Sequence, residues 1–503
     1  MVIQLLERRK SNEKGDRLFT LLISIVSVLG FTTSIKACTT VLVGKKASAD
    51  GAPLIARNED LSKAWAKYFE VYPGTNNGPT QYVSQTTGMK LSLPKDAQRY
   101  TGTPDWQKEK GQQVFLEDGI NASNVAMSAT ESTATNKKAM KADPFVKNGI
   151  TEADMLPVVL PYIGSAKQGV ERMGQIVEQK GAVEPDGIIF SDKDSIWYME
   201  IVSGHQWAAV RVPDDKAAVI PNQSMIGQIN PKDSQNYLCS KGLVKLVKNK
   251  HLGGYDKGKV TIYKAFGTNN ADDQEFNKPR TWDGQRILDP NKKQSITQSH
   301  FQMFVTPAKK VSVEEVAQIL GSHFNGTKYN SWGEWKGGYR PINSPINVES
   351  HILEIRSNVP ADYAALQWLC MASPATSVYV PFYTNINNTP SQYKIGTDKY
   401  DSKSAYWTYK ETSVLIDSNK EKLDKKYVIP VQNKVNKQLR QNIKTDDQKA
   451  KTLSGQQLQD YLTNCNQQNV DYAQNEFNKL NGQLITGIAN EQQVVPNSNE
   501  QGK

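Results

Sequence analysis

Ala37-Cys38-Thr39-Thr40-Val41-Leu42-Val43-Gly44, followed by Ile55-Ala56-Arg57-Asn58-Glu59-Asp60, is the stretch around which the chain is organised. The β-branched and apolar run from Thr39 to Val43 predicts a buried strand. Ala49-Asp50-Gly51 predicts a turn, and Pro53 to Ala56 the returning strand. Such a hairpin carries Arg57 and Asp60 back toward Cys38. Upstream, residues 1–17 are basic through Arg8, Arg9, Lys10, Lys14 and Arg17, Leu18 to Phe31 is apolar, and Thr32 to Ala37 leads to a cleavage position after Ala37. That is the three-part pattern of a secretory signal, so residues 1–37 are expected to be removed and the product to be secreted or held at the cell surface.

Cleavage there makes Cys38 the first residue, with a thiol and a free α-amine on one residue. The thiol attacks a carbonyl, and the amine takes and returns the proton. A free α-amine has a pKa of about 7.7–8.0 and a thiol about 8.5, which leaves roughly a tenth of the amine neutral at pH 7. Arg57 is expected to lower the thiol pKa. Other readings of the cysteine stay open. Free cysteine is commonly a small core residue. The charge-free run Leu18 to Ile35 is at the short end of a spanning helix, about 17–25 residues, and so also fits an uncleaved anchor. A lipidated Cys38 on a surface binding protein is a third reading, opposed by Lys36, where lipoprotein signals want a small uncharged residue.

Cys38-Thr39-Thr40, Gly51, Arg57-Asn58-Glu59-Asp60, Gly119-Ile120-Asn121, Arg280-Thr281-Trp282 and the late Gln367-Trp368-Leu369 to Tyr379-Val380-Pro381-Phe382-Tyr383 occur in this order along most of the chain. Together they resemble the cysteine-type dipeptidases of the N-terminal-nucleophile hydrolases, relatives of bile salt hydrolases and penicillin V acylases. Where those relatives usually read Asn-Glu-x-Gly, this chain has Asn121-Ala122-Ser123-Asn124. The resemblance implies an α+β fold, the four-layer αββα sandwich, and hydrolysis of dipeptides or short peptides. It implies catalytic roles for Cys38, Arg57, Asp60, Asn121, Asn222 and Arg280. Asp60 would orient the amine, Asn121 and Asn222 would stabilise the oxyanion, and Arg57 and Arg280 would set the electrostatics or bind a substrate carboxylate. Asn121 at a turn also fits plain backbone geometry, Asn230 is a weaker alternative to Asn222, and Arg280 also fits a surface guanidinium stacked on Trp282. An N-acyl amide hydrolase is the rival activity.

The balance of 61 Lys and Arg against 51 Asp and Glu gives a net charge of +10, spread along the chain. It fits association with anionic cell-wall or membrane surfaces; no nucleic-acid-binding motif accompanies it. Cys239, Cys370 and Cys465 show no Cys-x-x-Cys spacing. There is no His-Glu-x-x-His, no phosphate-binding glycine loop and no Gly-x-Ser-x-Gly, so neither metal nor organic cofactor is expected. A Cys38–His dyad through His205, His300 or His351 is the rival thiol mechanism. Homo-oligomers are compatible with the sequence.

Helices are expected from Thr151, over Ala166 to Lys180, over Val313 to His323 after the cap Ser312, and over Pro360 to Leu369. Gly187 to Ser191, Ser195 to Ile201 and Trp207 to Val212 predict a meander. The Trp332 to Pro341 segment is an aromatic, glycine-rich loop suited to a peptide site or to closing a core. The hydrolase domain is expected over 38–403. A helical C-terminal extension of peripheral helices follows over 404–490, and a disordered tail over 491–503.

Overall fold

The computed structural model describes residues 38–61, 64–106, 114–334 and 337–491. The expected signal segment, 1–37, lies outside the described residues, as does all of the expected tail except Glu491, which ends a helix.

Thr39–Val43 and Leu54–Asp60 form the hairpin, with Thr40 opposite Arg57 and Val41 opposite Ala56. The turn forms because Asp50 Oδ1 accepts from the backbone N–H of Ala52 at 3.0 Å and from Ser48 Oγ at 2.7 Å, while Gly51 supplies a φ of 81°. The hairpin is central in a seven-stranded antiparallel sheet ordered Phe304–Val305, Ala217–Ile220, Thr39–Val43, Leu54–Asp60, Asn347–Ile355, Ala365–Met371, Val380–Tyr383. A six-stranded antiparallel sheet runs Tyr237–Cys239, Trp207–Arg211, Ile196–Ile201, Gly187–Ser191, Ala126–Thr130, Asp118–Ile120.

Strand periodicity distributes these residues among three apolar cores. Val41, Val43 and Ala56 pack with Val316 and Ile319 of helix Val313–Leu320 and with Leu439 and Leu462 of the C-terminal helices. Leu42 and Ile55, on the opposite face, pack with Ile189, Tyr198 and Val210 of the six-stranded sheet. Met127, Ile188 and Met199, on that sheet's other face, pack with Leu156 of helix Glu152–Val159 and Met173 of helix Ala166–Lys180.

Pro360 to Leu369 is not a helix. A short 3₁₀ turn, Ala361–Tyr363, precedes strand Ala365–Met371, which is buried throughout. A strand covered on both faces has a continuous apolar run, and periodicity alone does not separate that from a buried helix. Residues 404–490 hold helices Ala405–Leu415, Ile429–Ala450 and Gly455–Glu491. They are not peripheral. Val435, Leu439, Leu458, Leu462 and Phe477 belong to the first core. Asn466 pairs its side-chain amide with both backbone groups of Tyr383, each at 2.9 Å, and so covers the sheet edge. Arg356 and Asp447 add an ion pair at 2.6 Å. Among the described residues no helix is long and apolar enough to cross a membrane, and all four cysteines are free.

Leu462 is fully buried, so Leu462→Ala should cost about 2–5 kcal/mol. Scanning calorimetry should show one transition moved to lower temperature. A separate early transition, with the main one unmoved, would make the C-terminal helices an independent unit.

Candidate active site

Cys38 immediately precedes the central strand, 2 % exposed, on the wall of a cavity of about 290 Å³ that Glu59, Asp60, Thr130 and Glu152 also line. Its Sγ lies 3.1 Å from Thr130 Oγ1 at the end of Ala126–Thr130, so sulfur and hydroxyl meet where the two sheets face each other. Burial pushes the thiol pKa well up; Glu117 and Asp60 add to the rise, and Arg57 and Thr130 oppose it. The influence of Arg57 has the expected sign but is outweighed by desolvation.

Both guanidinium groups bond to the frame, though Arg57 Nη1 is buried without a hydrogen-bond partner. Arg57 is fully buried; its Nε donates to Thr40 Oγ1 at 2.9 Å and its Nη2 to the Gly187 carbonyl at 2.8 Å, tying the two sheets together. Arg280, on helix Lys278–Leu288, donates from Nη1 to the Cys38 carbonyl at 2.7 Å and to Thr39 Oγ1 at 2.9 Å. Its Nη2 donates to Asn222 Oδ1 at 2.8 Å and Asn277 Oδ1 at 2.7 Å. Burial, with the Arg340 charge adding, lowers the Arg280 pKa to about 9 against Asp60 and Cys38. Neither arginine lines the cavity, so the geometry does not support carboxylate capture by them. Arg280 is not on the surface, and it is Arg286 that sits over the Trp282 ring, at 5.5 Å.

Asp60 lines the cavity and is held by Arg340 Nη2 at 2.6 Å and by Asn347 Nδ2. Burial raises its carboxyl to about 6, opposed by Arg340, Arg280 and Asn347. Asn222 stands between Arg280 and the Glu131 carbonyl, to which its Nδ2 donates at 3.1 Å. Arg280 thus fixes the amide with its NH₂ group toward the Thr130-Glu131 segment.

Asn121 does not join this group. Its Nδ2 donates to the Leu160 and Ile163 carbonyls, both at 2.8 Å. Its Oδ1 accepts from the backbone N–H of Ser123 and Val125 at 3.0 Å. With both amide hydrogens occupied, Asn121 fixes a loop, and the oxyanion role expected of it is not supported. Asn124, where relatives usually carry Gly, adopts φ 56°, a left-handed conformation that asparagine tolerates.

None of the five histidines lines the cavity. His351 is fully buried, with Nε2 3.0 Å from Ser128 Oγ and Nδ1 3.1 Å from Glu349; burial lowers its pKa to about 4. His205 pairs with Asp143 and His300 stacks on Tyr263. The geometry therefore gives Cys38 no imidazole partner. Asp118, Glu349 and His351 place ligand-type atoms within 4.8 Å of one another. Hydrogen bonds already join His351 to Glu349 and Gln367 to Asp118, and the group lies off the Cys38 cavity.

Sequence reasoning missed Thr130, Arg340 and Asn347. Arg340 lies in the aromatic loop singled out for a peptide site. Asn347 carried no signal, because its contact with Asp60 depends on a slip in strand register between Asn347 and Glu349.

Residues 37–431 match the profile of peptidase family C69. The chain is 40 % identical over 391 residues to "Probable dipeptidase B" of Lactococcus lactis subsp. lactis, covering 76 % of this chain and 82 % of that one. It is 35 % identical over 460 residues to "Dipeptidase A" of Lactobacillus helveticus, covering 89 % and 96 %. A solved structure of a mutant conjugated bile acid hydrolase from Clostridium perfringens aligns at 11 % identity over 67 % of this chain and 89 % of that one, with a TM-score of 0.29, below the level that marks a shared fold.

The raised Asp60 carboxyl has a consequence for the chain that retains residues 1–37. Folded protein binds a proton at Asp60 between the ordinary carboxylate value of 3.8 and about 6, where the unfolded chain has released it. This contribution to stability is therefore present at the acid end and is lost as pH rises through about 6. Raising the carboxyl from 3.8 to about 6 corresponds to ~3 kcal/mol over the whole range. In denaturant unfolding, wild type minus Asp60→Asn should be larger at pH 4 than at pH 6.5 by ~2 kcal/mol, the rest being lost mostly below pH 4. A pH-independent difference would mean Asp60 ionises normally.

Proposed function

The chain belongs to peptidase family C69, and from that premise we propose that it is a cysteine-type dipeptidase whose nucleophile is Cys38, exposed as the N-terminal residue when residues 1–37 are removed. The observation that carries this reading is the convergence on Cys38: sulfur on the cavity wall, carbonyl gripped by Arg280, and Asp60 lining the same cavity. The basic and apolar segments ahead of Ala37 support export with cleavage at that point. The three apolar cores support reading the fold as the four-layer αββα arrangement.

A thiol with a raised pKa is protonated at neutral pH, so it needs a base at the moment of attack rather than a preformed thiolate. With no histidine on the cavity, the α-amine created by cleavage is the base at hand. Sγ bonds to the substrate carbonyl carbon as its proton passes to the Cys38 amine, which Asp60 orients. The oxyanion of the tetrahedral intermediate is assigned to the Asn222 amide, which is not on the cavity wall and donates to the Glu131 carbonyl in this structure, so it must turn from that carbonyl to serve; such a donor is worth about 3–4 kcal/mol. The amine protonates the departing amine of the product as the C–N bond breaks, leaving a thioester at Cys38. Water then attacks, its proton returns through the same amine to sulfur, and the acid is released. The buried sulfur weighs against a lipid anchor on Cys38.

Cys38→Ala should abolish dipeptide hydrolysis without unfolding the protein, whereas Cys239→Ala, Cys370→Ala and Cys465→Ala should keep most of it. Loss in any of those three equal to the Cys38 loss would move the nucleophile.

Protein beginning at Cys38 should hydrolyse dipeptides, and protein retaining residues 1–37 should be slower by at least roughly 10²–10⁴-fold, the scale of general base catalysis. N-terminal sequencing before and after the assay checks for trimming. Equal activity in a form proven to retain Ala37 would remove the α-amine from the mechanism.

A further inference from the structure

Arg280 is itself held in place, and what holds it is an irregular turn outside the Cys38 cavity. Residues Asp273–Asn277 wind as a π-helix, in which the Lys278 N–H reaches back five residues to the Asp273 carbonyl, and helix Lys278–Leu288 follows directly. Single π-turns of this kind are rare and recur at functional sites. Asn270 and Asp273 open the turn with a reciprocal pair. The Asp273 N–H donates to Asn270 Oδ1 at 3.0 Å, and the Asn270 N–H donates to Asp273 Oδ2 at 2.9 Å. The other carboxylate oxygen, Asp273 Oδ1, accepts from Asn277 Nδ2 at 2.7 Å, and Asn277 Oδ1 accepts from Arg280 Nη2 at 2.7 Å. Arg280 then donates to the Cys38 carbonyl at 2.7 Å. A buried chain therefore runs from carboxylate to amide to guanidinium to Cys38, with Asp273 1 %, Asn277 7 % and Arg280 1 % exposed.

The same turn reaches Asp60 by a second route. Pro279 has no N–H for the Glu275 carbonyl four residues back, and that carbonyl accepts from the backbone N–H of Arg340 at 3.0 Å. The Arg340 side chain in turn pairs with Asp60 at 2.6 Å. One turn thus anchors the arginine on Cys38 and the arginine on Asp60. Such an anchor is needed because the two cations oppose each other. Burial first, and then the Arg340 charge, disfavour the Arg280 cation, so neither guanidinium holds the other in place.

We propose that Asn277 is a positioning residue of this site, setting Arg280, and through it Cys38, against Asp60. A two-sided amide is what the position needs. Its oxygen meets a guanidinium, which brings only donors, and its NH₂ meets a carboxylate, which brings only acceptors. Hydrogen bonds in such a chain polarise one another, so the amide passes the pull of Asp273 on to Arg280. Asn277 does not line the cavity and touches no substrate; it acts through Arg280. A misplacement of reacting groups by about 1 Å can cost about 10²-fold, which gives a contact at this remove its catalytic reach. The assignment rests on the dipeptidase reading, in which the Cys38 amine faces the Asp60 carboxylate, and it names what fixes their relation.

The test measures kcat and KM for alanyl-alanine on protein starting at Cys38. Asn277→Ala removes both side-chain bonds, and Asn277→Gln keeps the amide but carries it one methylene farther. Each should lower kcat at least about tenfold and leave KM within about twofold, the split expected of a residue that acts on the reacting groups rather than on binding. The double exchange Asp273→Asn with Asn277→Asp turns the pair around. The new carboxylate accepts from both Arg280 and the new amide, whose oxygen still accepts the Asn270 N–H. This exchange should return kcat to within about threefold of wild type, which general damage to the turn would not allow. A wild-type kcat in Asn277→Gln or in Asn277→Ala would overturn the assignment, as would an exchange protein no faster than Asn277→Gln. If Asn277→Ala does not fold, Asn277→Gln and the exchange carry the test. Wild-type protein starting at Cys38 that fails to hydrolyse dipeptides would instead overturn the reading on which the assignment rests.

Discussion

The hydrogen bond from Arg280 to the Cys38 carbonyl is the constraint on which the site's geometry depends. A buried guanidinium is costly unless its donors are met, and Arg280 meets that demand with Phe276, Cys38, Thr39, Asn222 and Asn277. Those partners come from Cys38, from its strand, from the segment after the neighbouring strand and from the arginine's own helix. One side chain therefore fixes the start of the central strand and the orientation of the Asn222 amide together. Arg57 joins Thr40 to Gly187 across the two sheets through Nε and Nη2, while its Nη1 is buried without a hydrogen-bond partner. The arginines here are structural cations whose positions have chemical consequences.

Burial of the thiol follows from the same packing. A sulfur set between two sheets, beside Thr130 and near Glu117 and Asp60, is held protonated. Electropositive surroundings would favour a standing thiolate; these favour a thiol activated only when a base is adjacent. In the mechanism proposed above, that distinction makes the state of the Cys38 nitrogen decisive. As a peptide nitrogen it cannot accept the proton, and as a free amine its pKa of about 7.7–8.0 suits the task.

The hairpin, the meander and the helix Ala166–Lys180 were legible because local signals and tertiary burial agree there. Ala365–Met371 was not, since a strand covered on both faces leaves no period to read. Within the site, Cys38, Arg57 and Asp60 could be placed because one short hairpin brings them together. Asn121 was assigned chemistry, but its turn needed all four of its amide hydrogen bonds. Thr130 looked like an ordinary strand residue; only the face-to-face meeting of two sheets puts it against sulfur. Arg340 and Asn347 are some 280 residues from Asp60, a separation no local pattern spans.

Asp60 also shows why the C-terminal helices matter to a site they do not line. Strand Asn347–Ile355 pairs with Leu54–Asp60 on one side and with Ala365–Met371 on the other. The next strand, Val380–Tyr383, is an edge whose backbone is completed by Asn466 from the last helix. An open edge frays or recruits another chain, and fraying would reach Asn347–Ile355 through a single intervening strand. The slip that sends the Asn347 amide to Asp60 is a local irregularity of the kind that re-aims a side chain, and it holds only while the strand on its far side stays paired. The helices thus act on the carboxylate through sheet continuity, by keeping the register in which Asn347 and Arg340 converge on Asp60.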